Sequence, residues 1–134
     1  MNKVRQAPGG GTLVEVPAER VAGWFTRFGE RHGVRHTDLA SDRVAVLAAD
    51  GTTAEVAVPF GPLVLRSDQS EQWFGRHPGL AVDALIAHLA KPRRIGLILV
   101  RLGGHSIGVA ESGRVVVSTS DRKPVHGRNS AGGW

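Results

Sequence analysis

Cysteine is absent from the 134-residue chain. That excludes a disulfide framework, a thiolate zinc site and a cysteine nucleophile. No apolar run approaches the ~20 residues that a membrane-spanning helix needs. The opening stretch Met1–Gly9 is too polar for a signal peptide, so a soluble, cytoplasmic protein is expected, without contact to a membrane. Lysine is scarce, with three against fourteen arginines. Beside much Ala, Gly and Val, that skew reads as GC-rich coding bias rather than as function. The length suits one ordinary domain of ~100–150 residues. With 41% hydrophobic residues, the chain can bury a core without staples.

Charge is unevenly placed. Residues 1–90 carry nine Lys and Arg against ten Asp and Glu. Residues 91–134 carry eight basic residues against Glu111 and Asp121, so the whole net excess of +5 sits in the last third. A one-sided basic segment suits a polyanion such as nucleic acid. A solvated basic face accounts for the same charge.

Residues 1–11 end in Pro8-Gly9-Gly10-Gly11 and read as a flexible leader. Residues 12–120 read as one mixed α/β domain. Thr12–Val16 alternates as a short strand, and Pro17 fits the first turn of a helix. Val21, Trp24, Phe25 and Phe28 recur at helical spacing, with Gly33 placed to end that helix. Asp50-Gly51 between Arg43–Ala49 and Thr53–Pro59 predicts an antiparallel hairpin. Residues 60–78 read mostly as loop, with room for a helical turn near Glu71–Phe74. Leu80–Ala90 reads as a second helix, with Val82, Leu85, Ile86 and Leu89 on one face and Pro92 as its stop. The last part predicts a three-strand meander over Ile95–Val100, His105–Ala110 and Arg114–Thr119. Its first strand is apolar enough to be central and covered on both faces.

The side chains offer little for self-contained catalysis. His32 and His36 are separated by Gly33, and no His-Glu-x-x-His pattern or carboxylate cluster exists, so no metal and no cofactor are expected. The six histidines read as surface or locally satisfied groups; His126 stands out by lying between Lys123 and Arg128. No Gly-x-Ser-x-Gly elbow surrounds Ser106, Ser118 or Ser120. Residues 121–134 are basic and rich in glycine. Arg122, Lys123, His126 and Arg128 are suited to RNA phosphates, and Gly132-Gly133 let a backbone approach a reacting centre. A disordered C-terminus has the same composition.

Several segments are similar to one known family. Val14–Arg20, Trp24, Glu30–Gly33, Ala49–Thr52 and Val58–Phe60 resemble the N-terminal part of the actinobacterial VLRF family, the Vms-like release factors. The strand Leu99–Val109 and the tail His126–Trp134 resemble it further. The resemblance implies a ribonuclease-H-like fold of the type found in the middle domain of eukaryotic and archaeal class I release factors. It implies peptidyl-tRNA hydrolysis on stalled ribosomes, with ribosome and peptidyl-tRNA as partners and a monomeric protein. Gly132 and Gly133 correspond to the glycines of the Gly-Gly-Gln-type loop, and Arg128 to its basic approach. The family's glutamine, arginine-rich helix and further α/β elements do not follow. The chain therefore resembles a C-terminally truncated member, expected to be inactive by itself.

Ester hydrolysis needs an oriented water and a stabilised oxyanion, and ribosomal RNA can supply much of that surrounding site. Ribonuclease H chemistry would need acidic metal ligands on the core strands, where residues 95–110 carry none. Two rivals remain open at this point: a non-catalytic RNA- or ribosome-binding module, and a nuclease acting on the tRNA acceptor end.

Overall fold

The computed structural model describes residues 3–65 and 73–124. The fold is mixed α/β, with two helices and three antiparallel sheets. The chain divides into two compact units, Met1–Lys91 and Pro92–Trp134. No helix among the described residues is long and apolar enough to cross a membrane.

In the first unit, Pro17 leads into a single 3-10 turn at Ala18–Arg20 and then helix α1, Val21–His32. The i, i+4, i+7 spacing places Val21, Phe25 and Phe28 in the core. Trp24 packs beside them, edge-on to Phe25 and stacked on Phe28 at centroid separations of 5.1 and 5.5 Å. The Gly33 N–H closes the helix on the Gly29 carbonyl at 2.8 Å.

Residues 3–6, expected within a flexible leader, instead form strand β1, Lys3–Gln6, paired with β2, Thr12–Glu15. This ribbon is almost wholly exposed. Neither face is buried, so the apolar alternation that announces a strand is missing. The main sheet orders β5-β4-β3-β6, from β3 His36–Leu39, β4 Arg43–Leu47, β5 Thr53–Ala57 and β6 Gly75–Pro78. The hairpin at Asp50-Gly51 forms as expected, and Gly51 takes φ 89°, a left-handed conformation that costs glycine least.

Strands β3 and β6 were not expected. Each has four residues, and β3 sends Thr37 inward beside Leu39. The Thr37 hydroxyl is satisfied there, donating to the Gly79 carbonyl at 2.7 Å and accepting the Ala81 N–H at 3.0 Å. Strand β6 occupies a sheet edge, where Pro78 is tolerated. The helical turn considered near residues 71–74 lies partly outside the described residues. Helix α2, Asp83–Ala90, presents Leu85 to the core, with Val82 just before it and Ile86 and Leu89 alongside.

The second unit is a meander of β7 Arg94–Arg101, β8 Gly104–Glu111 and β9 Arg114–Arg122, in that order. The expectation for its first strand is corrected. Strand β7 lies at an edge, every one of its residues is exposed, and β8 holds the centre. A run of apolar residues reports only that a strand prefers cover; a meander puts its first strand outside. The register shifts between Val109 and Ala110, leaving Val116 as the extra residue of a bulge in β9. Strand β9 continues to Arg122, so Asp121 and Arg122 belong to the ladder rather than to the expected loop.

Candidate nucleic-acid interface

One end of the meander gathers basic residues from its two outer strands. Strand β7 ends at Arg101, and the chain turns through Gly103, whose φ of 83° is the conformation the tight turn requires. Strand β8 starts at Gly104, and β9 runs out at Arg122. The Lys123 N–H donates to the Gly103 carbonyl at 2.8 Å, which ties the exit of β9 to that turn.

Register determines which side chains share a face. Gly104 pairs with Arg101 on one side and Arg122 on the other. Directly paired residues project to the same face, so two arginines flank a position without a side chain. Two residues inward, Ser106 pairs with Leu99 and Ser120, and period-two alternation returns this row to the same face. The two serine hydroxyls hydrogen-bond at 2.7 Å. These residues, together with Val100, His105 and Asp121 of the intervening row, line a half-open depression of about 370 Å³. Val100, His105 and Asp121 form the intervening row on the opposite face.

Electrostatics distinguish this end of the sheet. Arg5, Arg43, Arg76 and Arg94 each meet a carboxylate: Glu15, Glu55, Asp38 and Glu111. Among the described residues, neither the Arg101 nor the Arg122 guanidinium has an ion-pair partner. The nearby Asp121 carboxylate accepts the Arg122 backbone N–H at 2.8 Å instead.

The other polar clusters have local structural roles. Two hydrogen bonds from Arg76 hold the Asp38 carboxyl below its ordinary pKa. The Thr52 N–H, and after it His32, lower Asp50 to about 2. Buried His77 and His88 donate through Nε2 to the carbonyls of Trp73 and Pro59, both at 2.7 Å. Among the described residues no three His, Asp or Glu side chains gather as a metal site.

Of the residues proposed from sequence for RNA contact, Arg122 and Lys123 lie at this end of the sheet. His126 and Arg128, and the loop glycines Gly132 and Gly133, lie outside the described residues. Sequence reasoning missed Arg101, Ser106 and Ser120 as neighbours of Arg122. The signal was available in the turn: counting outward from Gly103 pairs Arg101 with Gly104, and the second turn then brings Arg122 opposite.

Residues 93–134 match the family model described as Actinobacteria/chloroflexi VLRF1 release factor. The match supports the VLRF family. It covers about a third of the chain, comprising the whole meander and the basic tail. It supports a release-factor-like role. No curated protein and no solved structure matches the chain.

Proposed function

We propose that this VLRF-type chain serves peptide release from tRNA on stalled ribosomes, by hydrolysis of the peptidyl-tRNA ester. The observation that carries the reading is the release-factor match over residues 93–134. In this reaction a water oxygen bonds to the ester carbonyl carbon, and the bond to the ribose 3′-oxygen breaks. The products are a peptide carboxylate, a proton and an intact tRNA.

The chain's contribution is placement. Arg122, Lys123, His126 and Arg128 hold RNA phosphates, while Gly132 and Gly133 form the narrow part of a loop entering the catalytic centre. Glycine there leaves room for backbone beside the ester, where any side chain would collide. The water is organised by the glutamine of a Gly-Gly-Gln-type loop. No glutamine follows Gly133 in these 134 residues, so residues 1–134 bind without turning over. A second reading, a binding module alone, is favoured by the two unpaired guanidiniums at the end of the meander.

Product analysis on ribosomes carrying labelled peptidyl-tRNA separates these readings. Residues 1–134 should leave the ester intact. The same chain with its loop continued past Trp134 through a glutamine should yield free peptide and full-length tRNA, and Gly133→Ala in that chain should abolish release. Shortened tRNA would replace the hydrolase with a nuclease. Occupancy of the ribosome without either product would leave the binding module.

A further inference from the structure

We infer that the end of the β7-β8-β9 sheet seats one backbone phosphate of RNA between Arg101 and Arg122. This rests on the reading that the basic last third of the chain meets RNA, and it names residues and geometry which that reading did not contain.

Gly104 separates the two arginines by two strand spacings, ~9–10 Å between their Cα atoms. Guanidinium groups reaching inward from both sides can therefore meet across a single phosphate. Arginine suits the task, since its planar fork donates two parallel hydrogen bonds to phosphate oxygens. Gly104 supplies the floor. A Cβ at this position would crowd the Asp121 carbonyl oxygen at 3.3 Å and touch Arg101 Nε at 3.8 Å, an ordinary contact distance, so glycine keeps the floor low beneath the guanidinium stem. The back of the seat is the Ser106–Ser120 pair. One hydroxyl donates to the other, so the pair retains one hydrogen to donate to a phosphate oxygen.

Two further observations favour a phosphate within a nucleic-acid strand over a free ion. The depression is half-open and borders exposed strands, so a ligand that continues past it meets no wall. Lys123 follows Arg122 directly and is exposed, giving the next phosphate along a strand a positive charge. Among the described residues the two guanidiniums also carry no competing carboxylate partner, in contrast to the four strand arginines that do. Asp121, the nearest acid, already accepts a backbone N–H.

The test uses the full 134-residue chain and a fluorescently labelled single-stranded RNA oligonucleotide, with affinity measured across a potassium chloride series. Arg101→Gln should lower the log–log salt slope by about 0.7, the value of one lost phosphate contact on a single strand. Arg101→Lys should keep the slope and weaken binding several-fold, because charge remains and the fork is lost. Circular dichroism of both variants should match the parent, since Arg101 is exposed at a sheet edge. Amide resonances of Gly104, Ser106 and Ser120 should shift on adding the oligonucleotide, and inorganic phosphate should displace it only at high concentration. An unchanged slope in Arg101→Gln, with RNA still bound, overturns the seat while leaving RNA contact by the tail intact. Tight binding of inorganic phosphate that leaves RNA affinity unaffected assigns the seat to a free ion and also overturns it. Absence of any salt-sensitive RNA binding removes both the seat and the reading beneath it.

Discussion

Phe25 is 1% exposed and touches Trp24 from its place in the core. Phe25→Ala should therefore cost ~3–5 kcal/mol through lost burial and an unfilled cavity, read as a lower urea midpoint. Thr37 is fully buried and joins two backbone groups through one oxygen. Thr37→Val keeps the shape but strands the Ala81 N–H and loses the donor to Gly79, at a cost of ~1–3 kcal/mol. The same urea series should detect it. Asp50 differs because its effect depends on pH. Its folded pKa lies near 2 against an ordinary 3.8, held down first by the Thr52 N–H and then by His32. A depressed carboxylate stabilises fully above its unfolded value and loses that contribution as pH falls through the folded one. The melting temperature of Asp50→Ala should thus fall below that of the parent at pH 6, and the gap should close towards pH 2. A gap independent of pH would mean that the carboxylate charge is irrelevant to the turn. These residues also show what sequence can disclose. Phe25 announces itself by spacing, whereas Thr37 is a core residue only because distant backbone groups converge on its hydroxyl.

At the scale of elements, α1, α2, the Asp50-Gly51 hairpin and all three meander strands were legible, because each has a period, a cap or a turn of its own. Strands β3 and β6 were not. Four residues are too few to show alternation, and β6 contains Gly75, Arg76, His77 and Pro78, which read as loop. Strand β6 is defined by its pairing with β3 over residues 75–78 and 36–39, and β3 by that pairing together with its ladder to β4. The expected cover of β7 was the larger error. Ile98 is 72% exposed, so Ile98→Lys should change stability by no more than about 0.5 kcal/mol. A loss of several kcal/mol on thermal unfolding would show that this position is covered in solution. At the site, Arg122 and Lys123 were legible through charge alone. Arg101 was not, because its partnership with Arg122 is created by two successive turns and the ladder between them.

Across the whole molecule, charge and packing are distributed differently. The buried apolar cluster belongs to residues 1–91, while the net positive charge belongs to residues 91–134. Apolar side chains in the first unit support a core; Arg101 and Arg122 in the second stand, among the described residues, without an ion-pair partner at one end of an exposed sheet. That division suits a chain whose last third works against RNA, and the release-factor match falls on that third. The most direct measurement is a chemical footprint of the 134-residue chain on ribosomes carrying peptidyl-tRNA. The account predicts protection of the tRNA acceptor end and the ribosomal RNA around it, and loss of that protection when Arg122, Lys123 and Arg128 are all replaced by Ala. Protection confined to other RNA, or unchanged by the triple substitution, would contradict it.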